Sequence, residues 1–252
     1  AKVIQPGIES FSLSQLQEMD KGVRPLQNIL CMKWAMYYGI DINWNILIGF
    51  PGETNDDFRQ QIDLIKLLYH LPPPECVGSL WLERFSPYFQ RPEEYGIKIT
   101  APGEAYPFVY DSPSIDHLKI AYDFEFETNT QIDPQLKQEL FQTAEEWKQR
   151  HQSEQLPYLI FTKAMDFVTV YDQRSLESKK IRLEGPQAWA FICCNEAPKS
   201  VGQIREYFRE KMGEDPKDNL VENAIVYLEE KGLLYGERKK YLNLALPHNS
   251  NL

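Results

Sequence analysis

A chain of 252 residues with 42% hydrophobic and 13% aromatic residues can bury one large or two modest cores, and a net charge of −10 opposes bulk attraction to nucleic-acid phosphates. The sequence contains no apolar run long enough to cross a membrane and no signal-peptide pattern, so neither a membrane nor a nucleic acid is expected as a partner. Cys31, Cys76, Cys193 and Cys194 have no disulfide, zinc or cluster spacing, which points to a reducing, cytoplasmic setting and to no metal site within these residues.

In chain order, an apolar strand through Val3-Ile4 leads to Gly7-Ile8, with Glu9 just beyond it. Ser12 and Gln15 form a predicted capping box, and Leu16, Met19, Val23, Leu26, Ile29 and Trp34 recur at helical spacing. Gly22 interrupts that helix, Arg24-Pro25 restarts it and Gly39 ends it. Residues 41–48 then read as a buried strand closed by Gly49-Phe50-Pro51-Gly52-Glu53. Thr54 and Asp57 start the next helix, whose Phe58, Ile62, Ile65 and Leu68 share a face, and Pro72-Pro73-Pro74 stops it. Residues 77–85 read as a third strand, giving strand-helix-strand-helix-strand with polar groups gathered at the carboxyl ends of the strands, where barrel enzymes keep their sites.

Residues 90–115, punctuated by Pro92, Pro102, Pro107 and Pro113, read as an irregular connection. The alternation of Leu118, Ile120, Tyr122, Phe124 and Phe126 predicts a strand. Asp133-Pro134 opens a helix to about Arg150, with Leu136, Leu140, Ala144 and Trp147 on one face. From Pro157 the pattern changes to three short strands, at residues 158–162, 167–171 and 180–183. Three helices starting near Pro186, Ser200 and Asp215 follow, then a hairpin turning at Glu237-Arg238. The predicted organisation is residues 1–95, 96–156 and 157–252, the last a winged-helix-like α+β domain. Between residues 199 and 240 nine Lys and Arg face nine Asp and Glu, and the third helix has no basic stripe, so duplex DNA is not the expected partner.

The run Gly7-Ile8-Glu9-Ser10-Phe11, then Met19-Asp20-Lys21-Gly22-Val23, then Gly49-Phe50-Pro51-Gly52-Glu53-Thr54 resembles the later half of a radical S-adenosylmethionine (SAM) barrel, in the branch that carries a cobalamin domain. Leu26-Gln27-Asn28-Ile29, Lys33-Trp34, Trp44-Asn45 and Arg84-Phe85-Ser86-Pro87-Tyr88-Phe89 look like maturases of ribosomally made peptides within that branch. The anaerobic magnesium-protoporphyrin ester cyclases are relatives of the same architecture. The resemblance implies an α/β fold, a partial radical SAM (β/α) barrel followed by the winged-helix-like domain, and reductive SAM cleavage to modify a peptide. A tetrapyrrole cyclase and a non-catalytic peptide-binding module are the alternatives.

As SAM-contacting groups the resemblance implies Glu9 for the ribose or amino end, Lys21 for the methionyl carboxylate and Asn45 for the ribose hydroxyls. The Gly49, Phe50, Pro51 and Gly52 loop would lie beside adenine. Lys21 and Asn45 stand where relatives often have Arg and Asp. The family holds its [4Fe-4S] cluster on a Cys-x3-Cys-x2-Cys run and cobalamin on an Asp-x-His-x-x-Gly loop, and neither occurs here. Both cofactors are therefore expected on segments outside these residues, which alone should be inactive and supply no catalytic residue. The winged-helix-like domain resembles modules that grip a precursor's leader peptide by adding it as a strand at a sheet edge.

Overall fold

The computed structural model describes residues 2–175, 177–217 and 219–248. The chain starts with β1 (Val3–Ile4), α1 (Leu13–Glu18) and α2 (Pro25–Tyr37), followed by β2 (Asp41–Ile42), β3 (Ile46–Ile48), α3 (Asn55–Leu68) and β4 (Val77–Ser79). β1 runs parallel to β2, Glu9 forms a parallel bridge with Ile46, and β3 runs parallel to β4. Ile42, Trp44, Ile46, Ile48 and Phe50 alternate with exposed or half-buried neighbours, so one face of this parallel layer lies on the helices.

The strand expected over residues 41–48 is interrupted because its partner offers nothing to pair with: Pro6 has no N–H and Gly7 has φ +66°. The strand expected over residues 77–85 also divides. β3 turns away at Gly49, φ +88°, after Leu80 N–H reaches Ile48 O, and β5 (Leu82–Glu83) joins a different sheet.

That sheet belongs to a lobe where an irregular connection was expected. It contains α4 (Pro87–Gln90), β6 (Ile97–Pro102), α5 (Ala105–Val109), α6 (His117–Ile120) and β7 (Asp123–Thr128), with antiparallel strand order β5-β7-β6. Leu82, Ile97, Ala121 and Phe124 form its small core. The first half of the strand expected over residues 117–126 is the helical turn α6, because the Arg84 guanidinium takes the carbonyls of Leu118 and Ala121 and His117 Nε2 reaches Tyr110 O. This sheet crosses the 95/96 boundary.

α7 (Pro134–Gln152) begins as expected, with the Asp133 side chain accepting from Gln135 N–H, and it packs on α3. Beyond it lie β8 (Leu159–Lys163), β9 (Phe167–Asp172), β10 (Lys179–Glu184) and α8 (Gly185–Cys193). They are followed by β11 (Lys199–Ser200), α9 (Val201–Met212), α10 (Leu220–Glu230), β12 (Leu234–Glu237), β13 (Lys240–Asn243) and β14 (Leu246–Pro247). β10-β9-β8 form an antiparallel sheet that β14 extends in parallel beside β8, and β11-β13-β12 form a separate three-stranded antiparallel sheet. The third helix starts at Leu220 and not at Asp215-Pro216, because the Asp215 carboxylate is held by Arg209 and is not available as a cap.

The protein is thus a mixed α/β chain of small sheets, without a closed barrel among the described residues. One apolar core runs from Ile8 to Leu246, with Trp44 and Trp147 in edge contact at 5.8 Å. Polar anchors tie its two ends together. Lys33 is fully buried and donates to Asn195 O, Asn195 Oδ1 and Asn243 O at 2.8–2.9 Å; burial pushes its pKa down to about 7, while three acceptors match the three protons of the charged form. Arg174 pairs with Asp172 and donates to Leu67 O and Gly232 O. No described helix is long and apolar enough to cross a membrane.

Candidate functional site

Glu9 stands just past the first parallel segment in a left-handed backbone conformation, φ 57°, that non-glycine residues adopt rarely. Its carbonyl accepts from Leu47 N–H at 2.8 Å, which fixes it against β3, and its carboxylate meets Lys21 Nζ at 2.7 Å. Both side chains keep solvent access, at 23% and 34%, so this is a reachable ion pair. Asn45 is adjacent to the bridging Ile46, and its Oδ1 accepts from Cys76 N–H and Sγ at 3.2 and 3.3 Å. Glu9 and Lys21 therefore meet at the junction of two parallel segments, while Asn45 lies on the adjoining strand with its side-chain oxygen turned to Cys76.

The Gly49–Gly52 loop follows directly. Gly49 and Gly52 have φ +88° and +81°, conformations only glycine takes without strain, and Gly49 N–H donates to Glu53 Oε2 at 2.9 Å. Phe50 is buried with its ring 5.9 Å from that of Tyr88, so the side chain packs under the neighbouring lobe and only the loop's backbone faces outward. Gly52 N–H donates to Thr130 Oγ1. A cleft of about 420 Å³ lies on one side, bounded by Ile48, Gly49, Glu53, Thr128, Thr130 and Lys137. A smaller one of about 230 Å³ lies on the other, bounded by Gln15, Glu18, Phe50, Gly52 and Asp57. Neither reaches Glu9, Lys21 or Asn45.

Beneath these groups lies a buried polar network that the motif reading did not include. Ser10 Oγ donates to Gln15 Oε1 at 2.6 Å, Gln61 Nε2 to the same oxygen at 2.9 Å, and Gln15 Nε2 to Glu53 Oε1 at 3.0 Å. Gln61 Oε1 accepts from Phe11 N–H, and Asn28 Nδ2 donates to Ile8 O and Ser10 O. Ser12 accepts from Gln15 N–H as an N-cap should, but the Gln15 side chain belongs to the network and does not complete the expected capping box. The signal was present in the sequence: Gln61 falls on the buried stripe of α3 beside Phe58, Ile62 and Ile65, where a glutamine costs free energy unless partnered.

Burial raises the pKa of Glu53, although the N–H groups of Gly49 and Phe50 oppose that. Burial acts in the same direction on Asp57, but hydrogen bonds from Ser12, Ser14 and Thr54 outweigh it and leave its carboxyl below the usual range. Glu53 therefore braces the glycine loop, and Asp57 locks the α1 and α3 N-termini together.

Among the described residues no three His, Cys, Asp or Glu side chains gather so as to hold a metal ion, and all four cysteines are free thiols. These residues do not fit an iron-sulfur cluster.

Over 81 residues the chain is 31% identical to an uncharacterized methyltransferase of Pyrococcus horikoshii, a match covering 30% of this chain and 18% of that protein. The chain thus spans less than a fifth of the relative's length. No family model matches it, and no solved structure matches it at a comparable level of significance.

Proposed function

We propose that this chain contributes a SAM-contacting surface to a radical SAM enzyme that modifies a ribosomally synthesised peptide, using a partial (β/α) barrel and a winged-helix-like module that holds the leader. The observation that carries the reading is the solvent-reachable Glu9–Lys21 pair at the junction of consecutive parallel segments, with Asn45 on the adjoining strand and the Gly49–Gly52 loop at the end of β3. SAM supplies an activated carbon–sulfur bond when bound. Its methionyl end is a zwitterion, and the Glu9–Lys21 pair is the complementary zwitterion, so one exposed ion pair would be exchanged for two. Asn45, on the adjoining strand, keeps its Nδ2 for hydroxyl groups while its Oδ1 accepts from Cys76. The Pyrococcus relative is named a methyltransferase, which is compatible with chemistry on SAM. The [4Fe-4S] cluster and cobalamin are assigned to no residue here.

For the leader, the supporting observation is an edge. β10 is the outer strand of its sheet among the described residues and carries Lys179, Lys180 and Arg182, which suits strand addition by an acidic peptide. Edge lysines also discourage adventitious pairing, so the test must discriminate. Fluorescence anisotropy of this chain with a labelled peptide of alternating Glu and Leu and with labelled duplex DNA, at about 0.15 M salt, is expected to give binding of the peptide alone. Tight, salt-sensitive DNA binding without a peptide response would refute the leader role.

A further inference from the structure

The lobe formed by residues 81–128 presents aromatic surface to water. Phe85 is 70% exposed, Phe108 86% and Tyr122 52%, and Val109, Tyr110, Leu118 and Ile120 are exposed beside them. Hydrogen bonds hold these residues in one region: Tyr106 Oη accepts from Tyr122 N–H, His117 Nε2 meets Tyr110 O, and Arg84 binds Leu118 O. Phe85 is also held at φ 74°. An aromatic side chain in a left-handed backbone conformation, neither buried nor relieved by glycine, costs stability without return in the free chain.

The charge of this lobe identifies its partner. From residue 81 to 128 the sequence has nine Asp and Glu against four Lys and Arg. Of those four cations, Arg84 lies over the Phe89 and Phe124 rings, Arg91 and Lys98 pair with Glu94 and Glu127, and Lys119 pairs with Asp116. Glu83, Glu104 and Asp111 are exposed in the same lobe. An acidic lobe that exposes aromatic side chains repels a second copy of a chain of charge −10 and attracts cations. The lobe also adjoins the candidate site, since the Tyr88 ring lies tilted against that of Phe50 and its hydroxyl donates to Glu18 O.

We propose that the aromatic face around Phe85, Phe108 and Tyr122 docks a cationic, apolar-rich peptide segment and holds it beside the ends of the parallel strands. This rests on the reading of the chain as part of a peptide-modifying enzyme and names the segment that such an enzyme would receive there. It also separates two surfaces by sign: a basic β10 edge for an acidic leader and an acidic lobe for a cationic segment.

The test uses the whole chain and fluorescein-labelled peptides of equal length, alternating Lys-Leu, Lys-Ser and Glu-Leu. Lys-Leu is expected to bind, Lys-Ser to bind about tenfold more weakly, and Phe108→Ser with Tyr122→Ser to weaken Lys-Leu by about tenfold or more without altering Glu-Leu. Phe85→Gly separates docking from folding: it relieves the left-handed backbone, so thermal stability holds or rises while Lys-Leu affinity falls. Unchanged Lys-Leu affinity in these variants would overturn the proposal, as would self-association of the chain that the same variants abolish. SAM titrated into the same preparations tells the two failures apart: loss of SAM binding with Lys-Leu docking intact would sink the enzymatic reading alone.

Discussion

The parallel layer and the C-terminal module are built on different physics, although one apolar core joins them. In the module, helices α8, α9 and α10 bury Phe191, Phe208, Leu228 and Ile204, each no more than about 3% exposed, with almost no polar atoms among them. Around the parallel strands, Ser10, Ser12, Gln15, Gln61 and Asp57 are buried to the same degree and spend their hydrogen bonds on one another. Apolar packing specifies shape and tolerates similar volumes, whereas a satisfied polar network specifies the position of each loop it bonds and tolerates no deletion. The network lies under the loops that carry Glu9 and Gly49, where exact placement matters.

Substitutions that separate size from polarity test this contrast. The largest loss is expected under the parallel layer: Trp147→Ala removes the ring beside Trp44 and the donor to Leu71 O, at a cost of about 4 kcal/mol by urea unfolding. Gln61→Leu keeps the volume but takes the acceptor from Phe11 N–H and one hydrogen bond each from Ser10 and Gln15, at a cost of about 2–3 kcal/mol. Ile204→Val in the dry module removes one methylene and should cost about 1 kcal/mol. If Gln61→Leu were as mild as Ile204→Val, the distinction between the regions would fail.

His70 gives the comparison a pH axis. It is fully buried with Nε2 on Leu244 O, and burial pushes its pKa down to about 3 from 6.5. The unfolded chain therefore binds the extra proton first: the stabilisation is complete above pH 6.5 and is lost as pH falls from 6.5 towards 3. His70→Gln should flatten the dependence of unfolding free energy on pH across that window, and an unchanged slope would show that other groups set the acid limit.

The periodic helices were legible because burial repeats with the helical turn, as in α3 and α7. Capping pairs such as Thr54 with Asp57 and Ser200 with Gln203 were legible because their partners are local. The lobe was not, since its strands pair over distances the sequence does not mark, and a guanidinium from Arg84 converts half of an alternating segment into a helical turn. Within the candidate site, motif residues could be read directly. The network beneath them could not, because Ser10, Gln15 and Gln61 join only after α1 and α3 meet.

Binding of SAM by Glu9, Lys21 and Asn45, as proposed above, is tested most directly by calorimetric titration of the chain and of Glu9→Ala, Lys21→Ala and Asn45→Ala. Removing one partner of a charged hydrogen bond costs about 1.5–3 kcal/mol, so each of the two charge variants should lose affinity by about ten- to a hundredfold, and Asn45→Ala by a smaller factor, with unfolding curves little changed. SAM affinity that is undetectable in the parent chain, or equal in all three variants, would contradict the account.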